Sequence, residues 1–301
     1  MIRRRLKIML DATSGPIAVG LMRSVKLVDR KRAANLTGAL MRKIGPLRNE
    51  HRVGREQLRA AFPEKSGAEI EKILDGVWDN LGRVAAEFVH LDEFKVAEEG
   101  SNGPDTIILG PETFARGRRT LSSSKATLTF ASHLANWEIS AVVAKKFGAN
   151  TAVLYRRPNI PAIGEAVIKL RAGVMGLMVP TNLSAPLRLA HLLQEGTHVG
   201  MLVDQHFTRG VEVNFFGRPC NANPLIAVLA RQLECPIQGM RVVRRPDGNS
   251  FWGEMTDPID PPRDADGRID IQGTMQAITT VIEGWIREHP EQWLWLHRRW
   301  R

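Results

Sequence analysis

A histidine and a glutamate with four residues between them are the strongest candidates for chemistry in this 301-residue chain. They are His133 and Glu138, in the segment SHLANWE at positions 132–138. An imidazole can take a proton from a hydroxyl, and a nearby carboxylate can fix its tautomer and stabilise the imidazolium that forms. The pair is therefore a candidate general base with its orienting acid. On pattern alone, a structural histidine is slightly favoured over a catalytic one.

The pair lies where a predicted strand becomes a predicted helix. Residues 126–131 are apolar and β-rich, and residues 139–146 have the pattern of a helix. Such junctions commonly carry functional groups in α/β folds. Five steps along a regular helix leave two side chains roughly 140° apart. We therefore expect His133 in the turn and Glu138 in the first helical turn, with the imidazole folded back to donate its second ring N–H to the carboxylate.

Alternating elements predict an α/β fold with a central mixed, mainly parallel sheet flanked by helices. Further predicted strands are 151–155, 177–179, 198–203 and 236–243, and further predicted helices are 163–174, 185–195, 224–233 and 271–288. Residues 69–89 have apolar side chains at helical spacing, and the region around them predicts an N-terminal helical layer. We expect a basic segment over residues 1–30 and a single domain over 31–301, made of a helical layer (31–95) and an α/β core (120–301).

Positive charge is concentrated at the N-terminus. The chain has a net formal charge of +10, and residues 1–60 hold 15 Lys and Arg against four Asp and Glu. This asymmetry predicts an anionic partner, either nucleic acid or phospholipid headgroups. We find no nucleic-acid-binding motif and few aromatic residues among the basic ones, so we expect no nucleic acid as partner. A solvated basic face remains the alternative to an anionic membrane surface.

The first 30 residues predict attachment to a membrane surface. Their apolar run is interrupted by Asp11 and contains Gly15, Pro16 and Gly20, so it falls short of the ~20 apolar residues that a spanning helix needs. No clear cleavage site follows the basic start. We therefore expect an uncleaved, peripheral or monotopic attachment that depends on basic side chains and a short amphipathic contact.

Several segments resemble one family of enzymes. The block HLANWE (133–138) resembles the His-(four residues)-Asp/Glu motif of glycerolipid acyltransferases, and its ending resembles the lipid A late acyltransferases, which are lauroyl and myristoyl transferases. Blocks that agree in order are LYRRPN (154–159), GMLVDQ (200–205), FFGRP (215–219) and WLWLHRRW (293–300), with AFPE (61–64) and WDNLGR (78–83) upstream. The resemblance covers most of the chain beyond about residue 55.

The resemblance implies a reaction and its partners. The donor would be an acyl carrier protein thioester, and the acceptor would be a hydroxyl of a 3-hydroxyacyl chain on a Kdo-containing lipid A precursor. The enzyme would act in lipopolysaccharide biosynthesis at the cytoplasmic face of the cell inner membrane. His133 would be the general base, and Glu138 would hold the imidazolium. No cofactor is implied, and no residues have metal-ligand spacing, so we expect no metal.

The resemblance also implies residues that bind substrate. Arg171 would act against a phosphate or on the thioester side, although its pattern alone equally fits a surface arginine on a solvated helix. Asp204 ends an apolar run and corresponds to an aspartate of the family, although a capping residue would look the same. Tyr155, Arg156 and Arg157 end a predicted strand, and two adjacent guanidiniums suit a phosphorylated diglucosamine through bidentate pairing.

Two alternatives share parts of this pattern. An acyltransferase of the same superfamily that acts on a lysophospholipid or a phosphoglycolipid would keep His133 and Glu138 and differ in the acceptor blocks. A non-enzymatic, basic membrane-binding protein of the same fold would keep the N-terminal charge and need neither residue. The presence of both residues argues against the second alternative.

Overall fold

The computed structural model describes residues 15–98, 106–158 and 160–300, which form an α/β fold. The strands are β1 (Lys95–Glu98), β2 (Thr106–Leu109), β3 (Leu128–Ala131), β4 (Thr151–Tyr155), β5 (Leu177–Pro180), β6 (His198–Leu202), β7 (His206–Phe215), β8 (Arg218–Ala222), β9 (Ile237–Arg244) and β10 (Phe251–Met255). The helices are α1 (15–26), α2 (Arg30–Ile44), α3 (Asn49–Ala61), α4 (Gly67–Glu87), α5 (Pro111–Ser122), α6 (Ile139–Lys146), α7 (Pro161–Ala172), α8 (Ala185–Gln194), α9 (Leu225–Leu233) and α10 (Ile271–Glu288).

Eight of these strands form one sheet, in the order β1-β2-β10-β9-β3-β6-β4-β5. All neighbouring pairs in it are parallel except β9 and β10. Strands β7 and β8 form a separate antiparallel hairpin. The predicted fold class, a mainly parallel mixed sheet flanked by helices, is therefore confirmed.

The register of β3 against β6 decides where the candidate residues lie. Ala131 at the end of β3 pairs with Leu202 at the end of β6. Because the strands are parallel, the chain leaves both at the same edge of the sheet. His133 and Asp204 each come two residues after this pair, so they emerge side by side although 71 residues separate them.

The predicted N-terminal helical layer is confirmed and is built around α4. Ser66 and Glu69 form a capping box at its start, which satisfies backbone donors that would otherwise be unpaired. Its buried side chains Ile70, Leu74 and Val77 join the main hydrophobic core. On another side, α4 packs closely against α2, and the residues at this contact are small: Ala33, Ala34, Gly38 and Gly82.

In the part of the chain that the structure describes, no helix is both long and apolar enough to cross a bilayer.

We predict that Gly82→Ala destabilises the helical layer. A Cβ at this position would lie 2.4 Å from the carbonyl oxygen of Thr37 and 2.8 Å from the Cα of Gly38, so the backbones of α2 and α4 would have to separate. We expect a loss of about 1–3 kcal/mol in the free energy of unfolding, measured by denaturant titration. Gly67→Ala in the same helix is the matched control, since nothing lies within 4 Å of its Cβ position. Equal stability of the two variants would contradict the close packing of α2 on α4.

Candidate active site

A short irregular segment, which we call the catalytic turn (residues 132–138), connects β3 to α6. Within it Ala135 has a φ of 46°, a left-handed conformation that is unfavourable for a residue with a Cβ. Two backbone hydrogen bonds hold the turn against the C-terminal segment. The N–H of Ala135 donates to the carbonyl of Gln292 (2.8 Å), and the N–H of Leu294 donates to the carbonyl of His133 (3.1 Å).

The imidazole of His133 is held by Asp204. Its Nδ1 lies 2.8 Å from Oδ1 of Asp204, and its backbone N–H donates to Oδ2, also at 2.8 Å. The indole Nε1 of Trp293 donates to the same Oδ2 at 2.7 Å. The carboxylate, whose side chain is 1% exposed, thus accepts hydrogen bonds from two other parts of the chain, the catalytic turn and the C-terminal segment.

These contacts fix the protonation pattern of the pair. Burial raises the pKa of the Asp204 carboxyl, but the charge and the hydrogen bonds of His133 lower it by more, so the pKa lies well below its usual range. An ionised carboxylate only accepts hydrogen bonds, so Nδ1 of His133 carries a hydrogen, and in the neutral form of the ring the lone pair is on Nε2. The amide Nε2 of Gln205 lies 3.3 Å from that atom and can donate to it.

The expected hydrogen bond from His133 to Glu138 is wrong, because the imidazole bonds Asp204 instead. Glu138 pairs with Arg171: Nε of Arg171 donates to Oε2 at 2.9 Å, and Nη2 donates to Oε1. The indole N–H of Trp137 also donates to Oε1, at 3.1 Å. The reason is positional, since Glu138 directly precedes α6 and its side chain meets α7, whereas Asp204 leaves the neighbouring strand beside the ring.

The structure brings most of the predicted substrate-binding residues to one cavity but gives two of them different partners. Asp204 is buried beneath His133, so a direct contact with substrate does not fit its position. The guanidinium of Arg171 is committed to Glu138 through two of its nitrogens, although Arg171 also lines the cavity. Tyr155, which is buried, and Arg156, which is exposed, line it as well. Arg157 is exposed and lies outside its lining.

The cavity has a volume of about 610 Å³ and reaches His133, Glu138 and Gln205. Much of its wall is apolar and comes from the sheet and the helices beside it, including Val143, Phe147, Met175, Met201, Met240 and Met255. This volume lies within the usual range for a small-molecule site, roughly 300–1,000 Å³. A polar cluster next to an apolar wall suits a substrate with a reactive polar head and a hydrocarbon chain.

A buried polar network ties the catalytic turn to α4. The side-chain amide of Asn80 donates to the carbonyls of Ala135 and Gln292, at 3.1 Å each. Glu87, which is fully buried, accepts from Nδ2 of Asn136 at 2.9 Å and pairs with both terminal nitrogens of Arg244. Because each buried polar group has a partner, the network holds the left-handed residue in place.

Asn136 in turn pairs the first backbone donors of α6. Its side-chain oxygen accepts from the N–H of Glu138 (3.2 Å), and its carbonyl accepts from the N–H of Ile139 (3.1 Å). Because these two N–H groups are already hydrogen bonded, they do not serve as oxyanion donors in this arrangement. The side chain beside Nε2 that sequence reasoning missed is Gln205, which directly follows Asp204 in a block already noticed for its resemblance.

Other histidines have structural contacts. His198 lines the cavity, but its Nδ1 accepts the backbone N–H of Thr127 at 3.1 Å, as expected for a structural residue. Within residues 15–98, 106–158 and 160–300, no group of three or more His, Cys, Asp or Glu side chains is placed to hold a metal ion.

We predict a pH dependence of stability from His297. Its Nδ1 donates to the carbonyl of Leu294 (2.7 Å), and burial lowers its pKa from 6.5 to about 4, with Asp204 opposing and with His133 and Arg299 adding to the shift. Since the folded pKa is below the unfolded one, unfolding allows a proton to bind, and stability falls as the pH drops from about 6.5 to 4. We expect this contribution to be about 3 kcal/mol, and denaturant titration at several pH values would measure it.

His297→Gln should reduce that fall in stability, while His191→Gln, at a side chain that is 68% exposed, should leave it unchanged. An unaltered pH dependence in the His297 variant would show that other groups cause it.

Comparison with known proteins agrees with this geometry. A family model described as bacterial lipid A biosynthesis acyltransferase matches residues 6–301, which is nearly the whole chain. A search of curated proteins gave no match. With its sheet, its histidine and its cavity in place, the chain belongs to the family of bacterial lipid A biosynthesis acyltransferases.

Proposed function

We propose that the protein transfers a fatty acyl chain from an acyl carrier protein thioester to the hydroxyl of a 3-hydroxyacyl chain on a Kdo-containing lipid A precursor. The observation that carries the proposal is the state of His133. Its Nδ1 is held by a buried carboxylate, so in the neutral ring the lone pair is on Nε2, the ring nitrogen available at the cavity. An imidazole in this state is prepared to accept a proton from a hydroxyl.

The reaction begins when Nε2 of His133 takes the proton of the acceptor hydroxyl. The hydroxyl oxygen attacks the thioester carbonyl carbon, and a tetrahedral oxyanion forms while Asp204 stabilises the imidazolium. The oxyanion collapses, the carbon–sulfur bond breaks, and the departing sulfur takes the proton back from Nε2. The products are an ester and a free thiol, and His133 returns to its neutral state without a covalent acyl-enzyme.

The oxyanion needs donors, and two side chains at the cavity fit this role. Gln205 has its amide nitrogen 3.3 Å from Nε2 of His133, so it can turn from the resting base to the developing negative charge. Arg171 places a positive charge at the cavity, and the ion pair with Glu138 fixes its direction. We therefore assign Glu138 to positioning Arg171, and Asp204 to positioning His133.

The apolar part of the cavity supports an acyl chain as the transferred group. A thioester carbonyl near His133 would leave its hydrocarbon tail against the methionines and Phe147 that line the wall. Burial of each CH2 group stabilises the complex by roughly 0.8 kcal/mol. The exposed guanidiniums of Arg156, at the cavity, and Arg157, outside its lining, would bind phosphates of the acceptor. The acceptor is a membrane lipid, so we propose a peripheral or monotopic location at the cytoplasmic face of the inner membrane.

We predict that His133→Ala and Asp204→Asn each lower kcat by about a hundredfold or more. The first removes the base, and the second can leave Nδ1 as an acceptor and so place the hydrogen on Nε2. The measurement is single-turnover transfer from labelled acyl carrier protein to the purified precursor. His191→Ala, at an exposed histidine on α8, is the matched control and should retain the wild-type rate. Full activity of either site variant would refute the assignment of the base.

We predict that the wild-type enzyme uses acyl carrier protein in preference to coenzyme A thioesters, and the lipid A precursor in preference to lysophospholipid. Competition between the two donors, and separately between the two acceptors, gives the ratio of kcat/KM values directly. Transfer to lysophospholipid or a phosphoglycolipid alone would assign the protein to the other branch of the superfamily. Absence of transfer to any of these acceptors would favour the non-enzymatic alternative.

A further inference from the structure

Helix α2 has its large apolar side chains on the outside. Leu36, Leu40, Ile44 and Leu47 are 69%, 50%, 41% and 84% exposed. The first three recur every four residues, so they lie along one side of the helix, and Leu47 continues their line in the turn after it. The opposite side contains the small residues that pack against α4. We call these four residues the leucine stripe.

The preceding helix continues the exposed apolar surface. On α1, Ile17 and Leu21 are both more than half exposed and are four residues apart. Leu27 and Val28, in the turn between α1 and α2, are exposed as well. Scattered exposed leucines are ordinary in soluble proteins, but a contiguous row on two successive helices indicates an interaction surface.

The charge around this surface limits what can bind it. Residues 15–48 hold eight Lys and Arg and one acid, Asp29. Three of the eight have carboxylate partners from other segments: Arg30 is buried against Glu87, Lys26 pairs with Asp92, and Arg42 pairs with Asp75. Arg32, Lys43 and Arg48 lie on or directly beside the leucine stripe and are exposed or largely exposed. A second copy of the chain would bring the same positive charge against it across a two-fold axis, which is unfavourable. An anionic surface with an apolar interior complements both properties.

A polar cavity lies beside Leu47, and its three arginines pair with Glu50, Glu56 and Glu71. It has a volume of about 350 Å³, and Pro46 and Arg48, the two neighbours of Leu47, line it. Arg52 and Arg55 line it too, together with the carboxylates of Glu71 and Asp75, so the arginines and carboxylates of its lining have a net formal charge of +1.

We infer that the leucine stripe and the exposed residues of α1 form a docking surface for an anionic lipid bilayer. The apolar side chains enter the region below the headgroups, while Arg32, Lys43 and Arg48 lie at headgroup level. This is the arrangement of an interfacial helix that lies parallel to the membrane.

In this orientation the helical layer lies between the bilayer and the candidate active site. On its buried side α2 approaches α4 so closely that a Cβ at Gly38 would lie 2.7 Å from the carboxylate of Asp79. The next residue of α4, Asn80, donates to the carbonyl of Ala135 in the catalytic turn. Two helix layers therefore separate the bilayer surface from the turn. The biological reason for the contact rests on the proposed function, whereas lipid binding itself can be measured without the reaction.

The test is partition of the full-length protein onto vesicles in sedimentation experiments. One set of vesicles contains phosphatidylglycerol and phosphatidylcholine in equal parts, and the other contains phosphatidylcholine alone. We expect stronger binding to the first set, and weaker binding to it at high salt. The triple variant Leu36→Ser, Leu40→Ser, Leu47→Ser should bind these vesicles at least about tenfold more weakly than the wild type, because it loses most of the apolar contact. Its thermal midpoint should match that of the wild type, since the side chains are exposed.

The matched control is Leu183→Ser with Leu187→Ser, a pair of exposed leucines at the start of α8. It should bind vesicles as the wild type does. Wild-type partition in the triple variant, an equal loss in the control, or no preference for anionic vesicles would each overturn the docking surface. So would a change from dimer to monomer in the triple variant without a change in vesicle binding, because a second copy would then be the occupant.

Transfer to a detergent-dispersed acceptor separates this proposal from the proposed function. An intact vesicle preference in a protein that transfers no acyl chain would refute the reaction and leave the docking surface standing. A protein that transfers the acyl chain normally but does not bind vesicles would refute the docking surface and leave the proposed reaction standing.

Discussion

One buried carboxylate organises the candidate active site. Asp204 must be surrounded by donors, because an ionised group removed from water is costly unless it is hydrogen bonded. Its donors are two nitrogens of His133 and the indole of Trp293. Strand β6, the catalytic turn and the C-terminal segment are therefore fixed to one another at this point. The same constraint leaves Nε2 of His133 at the cavity with its lone pair available.

Much of the fold was predictable, because buried parallel strands and amphipathic helices leave a clear pattern. The bounds of β4, α6 and α10 agree with the predicted ones, and strands β5, β6 and β9 and helices α7 to α9 differ by at most two residues. Strands β1, β2 and β10, helix α5 and the β7–β8 hairpin were not predicted. These strands are short or lie in polar stretches, so pairing with neighbours in space decides their conformation.

Within the site, the identity of the residues was more predictable than their contacts. Local spacing drew attention to Glu138 because it is near His133 in sequence, and a resemblance drew attention to Asp204 and Arg171. Only the parallel register of β3 and β6 places Asp204 beside the imidazole, and only the folded chain brings Arg171 of α7 to Glu138. The support from Asn80 and Glu87 comes from a different layer of the fold. Asn80 lies in a block noted only for its resemblance, and Glu87 had no sequence signal. The apolar run that includes α1 was visible in the sequence, but the exposed row on α2 was not, because exposure depends on which side of the helix packs.

The proposed acyl transfer depends most on Asp204, which sets the tautomer of His133. Nitrogen-15 NMR of the histidine-labelled protein at neutral pH measures that tautomer directly, with His133→Gln used to assign the signals. Our account predicts a protonated Nδ1 and an unprotonated Nε2 in the wild type, and a loss of this preference in Asp204→Asn. A wild-type spectrum with the proton on Nε2, or one that Asp204→Asn leaves unchanged, would contradict it.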